Sequence, residues 1–382
     1  MKQRPLQWVE LSRAAFLHNL QQFRRLLGDR QRLLAMVKAN AYGHGMARIA
    51  VLAEEGGADW LGVHTLAEGI TLQDLGIKLP ILICGYVPLA DLEETAVRGL
   101  SCTVYNPETI EELGPICRRR EISARIHIKL ETGTHRQGVA QQDLPKLLDT
   151  LQDFPEVKVE GVSSHFADIE DTTDHTYARQ QLEDFQEMVA GIKARGLDIP
   201  IRHMSCTAAG MLFPETHFDM LRVGIGLYGL WPSRETYVSC LQRKRALVRL
   251  QPVLTWQARV AQVKRVPKGA YIGYGRSYRT TRETRLAVLP VGYSDGYPRR
   301  LSNVAHTLIR GQRSPVRGRI AMNFLTTDVS DIPEVQMEEA AVLLGVSDGD
   351  AVTAEMLAAW AGTINYEIVA RLNPQIPRIW AA

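Results

Sequence analysis

Lys38 is the residue whose setting looks most like that of a reagent. It closes the apolar run Leu33-Leu34-Ala35-Met36-Val37 and is followed at once by Ala39-Asn40-Ala41-Tyr42-Gly43-His44-Gly45. The run reads as a buried strand, and the small residues after it as a tight loop. A lysine at that junction points into a cleft, where burial lowers its pKa. A neutral amine there can form a Schiff base with a carbonyl group. The plainer reading is a lysine that lays its stem along a strand end and keeps its charge in water. His64, Lys129, His165, Ser205 and Arg222 also fall at the ends of apolar runs. One such residue signifies little; a set of them suggests one site.

Those ends belong to a regular alternation. Eight runs read as strands, around 33–38, 60–64, 81–84, 101–104, 124–130, 157–165, 201–205 and 218–223, with helical patterns between them such as Thr176–Lys193. Ahead of them Ser12 reads as a helix N-cap, with Phe16, Leu17, Leu20, Phe23 and Leu27 on one helical face. Eight strands alternating with helices predict an α/β fold, a (β/α)8 TIM-like barrel, whose functional groups gather at the C-terminal ends of the strands. After about Trp231 the texture changes. Val, Leu, Thr and aromatic residues fill Leu247–Val266, and short apolar runs recur at Leu286–Val291, Thr307–Ile309, Ile320–Ala321 and Ala341–Leu344. This predicts a C-terminal β-rich domain. The expected division is a barrel over 1–236 and a β-rich domain over 237–382, with Trp231–Arg245 as the boundary segment. The run Leu6–Leu11 reads as a strand that packs on the second domain.

Composition narrows the functional classes. At 382 residues the chain exceeds one ordinary core. A net charge of +3, with no basic run beyond Arg118-Arg119-Arg120, gives no footprint for nucleic acid. No apolar stretch approaches a membrane span, and Met1-Lys2-Gln3-Arg4-Pro5 leads into no apolar signal core. Cys84, Cys102, Cys117, Cys206 and Cys240 are scattered and never in C-x-x-C spacing. That pattern predicts free thiols in a reducing compartment, the cytoplasm, and no zinc or other metal site.

The run Val37–Gly45 resembles the lysine motif of the alanine racemases, enzymes that use pyridoxal 5'-phosphate. Further runs resemble motifs of the same family in the same order: His127–Gly138 (HIKLETGTHRQG), Asp219–Gly229 (DMLRVGIGLYG), Gly273–Arg276 (GYGR), Val291–Gly296 (VGYSDG) and Thr363–Glu367 (TINYE). They span both expected domains. The resemblance implies interconversion of L- and D-alanine by two bases on opposite faces of the substrate, supplying D-alanine for peptidoglycan. Lys38 would hold the cofactor through a Schiff base and act as one base, and Tyr274 would be the other. Tyr42, Ser205, Gly224, Ile225 and Tyr366 would surround the cofactor phosphate. Arg222 would meet the pyridine nitrogen, and His165 would sit between Tyr274 and Arg222. Arg136 would lie near the cofactor's phenolic oxygen and the substrate carboxylate, and Met322 would give the substrate a main-chain contact. Lys129 stands where the family sometimes carries a carbamylated lysine. A head-to-tail homodimer would bring Tyr274 into the partner's site.

The residue types suit that chemistry. Arginine does not readily give up a proton, so facing the pyridine nitrogen it leaves that nitrogen largely unprotonated and curbs side reactions at the cofactor. Barrel decarboxylases that use the same cofactor resemble one another in placing a carboxylate there. Each residue also has a structural reading: Tyr274 as a turn aromatic, Arg222 in an ion pair, Ser205 as a helix cap, Lys129 as an ordinary lysine. His44, His64 and His203 read as core or loop hydrogen-bonders, and Cys206 as a small buried residue. The chain has Ala321-Met322-Asn323-Phe324 where the family commonly has Cys-Met-Asp-Gln. A related group of broader racemases resembles it in having Met-Asn. Racemisation of serine, lysine or arginine is thus the second reading. A decarboxylase is opposed by Arg222. A non-catalytic pyridoxal-phosphate-binding protein would lack the second domain and Tyr274.

Overall fold

The apolar runs fold as the alternation requires, in a computed structural model that describes residues 5–243 and 248–381. Met1–Arg4 of the leading segment, Arg245 of the expected boundary and Leu247 of the expected β-rich stretch lie outside the described residues. The chain forms two units. One takes in Leu17–Ala39 and Met46–Gln251; the other takes in the chain up to Phe16, the short excursion Asn40–Gly45, and the chain from Pro252 on.

The opening strand, β1 (Gln7–Leu11), belongs to the second of these. The first unit is a barrel of parallel strands: β2 (Arg32–Met36), β3 (Trp60–Val63), β4 (Ile81–Ile83), β5 (Ser101–Val104), β6 (Ala124–Lys129), β7 (Val157–Ser163), β8 (Ile201–His203) and β9 (Met220–Val223). Their order is β8-β7-β6-β5-β4-β3-β2-β9. The gap between β8 and β9 is spanned by the Asp219 N–H, which donates to Arg202 O at 3.0 Å, and by the Asp219 carboxylate, which accepts from Arg202 N and Nε at 2.8 and 2.7 Å. Burial on both faces explains the continuous apolar runs: Leu33 to Val37 and Ile81 to Ile83 are all buried. The connecting helices show helical spacing instead. In the helix Leu144–Asp153, residues Leu144, Leu147, Leu148 and Leu151 are buried. Each such leucine contributes roughly 1.5–3 kcal/mol relative to exposure.

The helix Arg234–Gln242 stays with the barrel unit, so the units divide after Gln251 and not at residue 236. The reason is local anchoring: Ser239 Oγ hydrogen-bonds His175 Nε2 at 3.2 Å, Ser233 Oγ donates to Glu170 O, and Cys240 is buried.

The second unit is β-rich, as expected. Its strands are β10 (Leu254–Arg259), β11 (Gln262–Val266), β12 (Tyr271–Ile272), β13 (Tyr278–Arg279), β14 (Thr284–Leu289), β15 (His306–Ile309), β16 (Gln312–Pro315), β17 (Leu325–Asp328), β18 (Ala340–Ser347), β19 (Asp350–Val352) and β20 (Arg378–Trp380). The main sheet runs β16-β15-β18-β10-β1-β20, with β19 on β18; a smaller one runs β11-β14-β17. β10 buries Leu254, Trp256 and Ala258 and leaves the residues between them half-exposed, a period of two. β1 pairs antiparallel with β10, as the N-terminal run predicted. Ile320–Ala321 forms no strand. Ala321 N donates to Phe324 O at 2.8 Å and closes a turn ahead of β17.

The excursion Asn40–Gly45 is fixed within this unit by Arg378, whose Nε and Nη2 donate to Gly43 O at 3.2 and 2.9 Å. Gly43 has φ of +81°, and a Cβ there would overlap Val369 O. Gly43→Ala is therefore expected to lower stability by roughly 2 kcal/mol or more, from strain and overlap together. A shifted urea midpoint with unchanged slope checks this; an unshifted midpoint contradicts it.

Candidate active site

The strand ends bring the predicted polar residues of the barrel onto one rim. Lys38 stands two residues past β2, His64 follows β3, Cys84 follows β4, Tyr105 follows β5, Lys129 ends β6, His165 follows β7, Ser205 follows β8, and Arg222 lies in β9. Lys38 begins a turn of left-handed helix. Ala39, Asn40, Ala41 and Tyr42 have φ of 52°, 53°, 52° and 52°, a conformation that costs L-residues about 1–2 kcal/mol each. The turn is pinned at its start, where the Ala39 N–H donates to Glu68 Oε1 at 2.7 Å. The other oxygen of Glu68 accepts from His64 N at 2.7 Å and Thr65 N at 3.2 Å. One carboxylate thus ties the ends of β2 and β3 together. Thr65 and Glu68 form a capping box, so the T-x-x-E signature was open to view in the sequence.

Arg222 is the most constrained group on the rim. It is buried, and its Nη1 donates to His203 Nδ1 at 2.6 Å and His203 O at 2.9 Å. Its Nη2 donates to Ser164 O at 2.8 Å, Met204 O at 3.0 Å and His165 Nδ1 at 3.3 Å. Among the described residues no carboxylate pairs with it, and its Nε–H is left over as a donor. Its neighbours are correspondingly shifted toward their neutral forms. Burial holds Lys129 well below the usual lysine range, and the charges of Arg222 and Arg136 push the same way. His165 is held well below the ordinary imidazole value by burial and by Lys129, Arg222, Arg136 and Lys38. The shift favours the neutral amine, the form of lysine that reacts with carbon dioxide.

Arg136 is exposed on the loop after β6. Glu131 organises that loop by accepting from Gly133 N at 2.6 Å and Thr134 N at 2.7 Å. Thr134 Oγ1 donates to His165 O at 2.7 Å, so the residue that follows β7 holds the loop. Ser205 turns inward. It is fully buried and its hydroxyl is spent on Thr216 O at 2.6 Å and Thr216 Oγ1 at 2.5 Å. The hydroxyl beside Gly224 is that of Thr207, which accepts from Gly224 N at 3.1 Å. Ile225 starts the 3-10 turn Ile225–Tyr228 directly after Gly224 and is buried. Sequence reasoning passed over Thr207 because two hydroxyls lie two residues apart.

The remaining predicted residues lie in the other unit. The rings of Tyr42 and Tyr366 are 6.2 Å apart. Tyr274 is 71% exposed, on a loop whose flanking Gly273 and Gly275 have φ of +70° and +68°. The Met322 carbonyl accepts from Ser294 N at 3.0 Å and Ser294 Oγ at 2.8 Å, so the N–H is the main-chain contact it has to offer. Asn323 Nδ2 donates to the same Ser294 hydroxyl at 2.9 Å, and Phe324 is exposed.

A parallel barrel followed by a β-rich unit is an architecture shared with solved alanine racemases. Models of the alanine racemase N-terminal and C-terminal domains match residues 11–232 and 253–380. The alanine racemase of Symbiobacterium thermophilum is 40% identical over 98% of this chain and 96% of its own length. The crystal structure of alanine racemase from Streptomyces lavendulae, a D-cycloserine producer, superposes with a TM-score of 0.93 at 34% identity, covering 100% of this chain and 98% of that one. The Bartonella henselae enzyme, solved with covalently bound pyridoxal phosphate, gives 0.87 at 25% identity, covering 99% of this chain and 100% of that one. The chain belongs to the alanine racemase family and is an isomerase. Among the described residues no helix is long and apolar enough to cross a membrane.

His44, at the end of the lysine loop, gives the site region a pH dependence. Burial lowers its pKa to about 4, and Arg378 adds to the effect. The unfolded chain takes up this proton near pH 6.5 and the folded chain only near 4, so stability falls as the pH drops through that window, by roughly 3 kcal/mol. Urea midpoints between pH 7 and 4 should show the loss, and His44→Asn should flatten it; an equal slope in both proteins assigns the loss to other groups.

Proposed function

We propose that this protein racemises alanine in the cytoplasm, with pyridoxal 5'-phosphate held at the C-terminal mouth of the barrel. The observation that carries the reading is Arg222, a guanidinium fixed by barrel acceptors with one N–H left for a ring nitrogen, on the same rim as Lys38. The donors suit such a cofactor: an amine for its carbonyl, the Arg222 N–H for its nitrogen, and the Thr207 hydroxyl for its phosphate, to which the family resemblance adds Ile225, Tyr42 and Tyr366. Thr207 takes the role expected of Ser205, whose hydroxyl is already committed. When bound, the cofactor supplies an electron sink that makes the substrate's α-proton removable.

The chain's own residues move and confine that proton. Lys38 Nζ takes or returns it on one face of Cα, and Tyr274 Oη on the other. Two bases need no rotation of the substrate between removal and return. A phenol serves as a base only once its proton is gone. Arg136 binds the substrate carboxylate, and the Met322 N–H adds a contact. The family resemblance supports a head-to-tail homodimer in which Tyr274 completes the partner's site. Asn323 and Phe324 stand where a carboxylate and an amide are common. One methylene in an apolar pocket discriminates by only about 1–3 kcal/mol, so serine is expected as a minor substrate.

The deciding measurement is kcat/KM for alanine, serine, lysine and arginine on one preparation. Alanine should lead; lysine or arginine in the lead moves the chain to the broader racemases, and no turnover of any amino acid favours a non-catalytic binding protein. Borohydride reduction and peptide mapping should place the pyridoxyl label on Lys38, and a label on Lys129 refutes the assignment. For the dimer, Lys38→Ala and Tyr274→Phe chains, each nearly inactive alone, should recover activity when mixed, because each hybrid has one intact site. Absence of recovery after verified subunit exchange means that each site is built within one chain.

A further inference from the structure

Arg222 is buried without a carboxylate beside it, yet its charge has a destination. A guanidinium can only donate hydrogen bonds, so His203 Nδ1, 2.6 Å from Arg222 Nη1, must accept. A neutral His203 then carries its proton on Nε2, which lies 2.7 Å from His127 Nδ1. That nitrogen must accept in turn, so His127 is protonated on Nε2, which faces Glu160 Oε2 at 3.3 Å. Burial holds both imidazoles below their ordinary pKa, which keeps each to a single proton. Every bond in the chain therefore points one way, from a cation at the barrel mouth to an anion at the opposite end.

The backbone is shaped for this chain. Ile126 pairs with Val159 and His127 with Gly161, which leaves Glu160 as an extra residue in β7 with no partner on β6. Such a bulge re-aims a side chain, and bulges between parallel strands are uncommon. A Cβ on Gly161 would come within 2.5 Å of His127 Nδ1, so the glycine makes room for the ring. The ring of Trp60 packs edge-on against His127 at 5.6 Å. Glu160 also accepts the Ser101 hydroxyl at 2.5 Å, and its Oε1 lies 4.0 Å from Arg125 Nε. With Arg125 and Lys158 it lines a shallow cleft formed at the starts of the strands. The carboxylate keeps access to water there, and the hydrogen bonds from His127 and Ser101 help to hold it ionised.

We propose that Glu160 is a positioning residue for the reaction: it is the remote counter-ion of Arg222 and, through His127 and His203, fixes the tautomers that keep the guanidinium in place. The functional consequence rests on the racemase reading; the tautomers do not. Without an acceptor at Glu160, the His127 Nε2–H is unsatisfied. Moving that proton to Nδ1 sets two N–H groups against each other at His203, and correcting that sets two more against each other at Arg222.

The test uses the purified holoprotein with 15N-labelled imidazoles. Proton-correlated spectra, assigned by single substitutions, should show His127 and His203 neutral and protonated on Nε2. Glu160→Gln keeps an accepting oxygen and removes the charge. It should retain both tautomers and the thermal midpoint while kcat falls on the order of tenfold with little change in KM, by analogy with the loss when a group that orients a metal-ligating histidine is removed. Glu160→Leu should shift both rings toward the Nδ1–H tautomer; if it does not fold, Glu160→Gln decides. His203 found as an imidazolium or protonated on Nδ1 in the parent protein overturns the proposal. So does an unchanged kcat in Glu160→Gln. Correct tautomers in a protein that turns over no amino acid would retain the relay and reject the racemase reading instead.

Discussion

A guanidinium that cannot lose its proton, placed where water is excluded, dictates what surrounds it. Its N–H groups need acceptors, and Arg222 finds carbonyl oxygens and imidazole nitrogens from β7 and β8 or the residues that follow them. It also forbids other charges of its sign. Lys129, His165 and His203 are each held far toward the neutral form by burial, and in each case Arg222 adds to the shift. The rim thus gathers titratable groups whose protonated forms are disfavoured there.

The second constraint is backbone strain. Four consecutive L-residues after Lys38 are left-handed, and such strain persists only where the surroundings over-determine it. Glu68 holds the start of the turn and Arg378 holds Gly43 at its end. Arg378 spends its remaining N–H groups on Leu372 O, Asn373 O and Ile376 O, so the clamp is itself built into a folded segment. The orientation of the residue at the head of the turn is therefore a property of packing, not of the loop's own preferences.

The eight barrel strands were legible because parallel strands buried on both faces must be continuous apolar runs. The same logic failed where burial is carried by other types. β17 is Leu325-Thr326-Thr327-Asp328, with Leu325 and Thr327 buried, and its composition does not announce a strand. Ile320–Ala321 is apolar and yet lies in no strand, although Ile320 is buried. The rim residues were legible from their places at strand ends. Whether a hydroxyl there points in or out was not, and Ser205 and Thr207 divide on it. Neither the left-handed turn nor the bulge at Glu160 has a local signature: Ala39, Ala41 and Tyr42 have no preference for positive φ, and a bulge exists only relative to a neighbouring strand.

The anchoring of Gly43 by Arg378 spans 335 positions of the chain. During synthesis the last barrel strand, ending at Val223, emerges long before Arg378 is made. At about 5–20 residues per second that interval lasts roughly ten to thirty seconds, ample for the strands to pair. The nascent chain then carries barrel strands whose lysine loop is held at its start by Glu68 but still lacks the Arg378 anchor at Gly43. The left-handed turn gains its second anchor only when translation is nearly complete, and a chain that ends in the β-rich half lacks it.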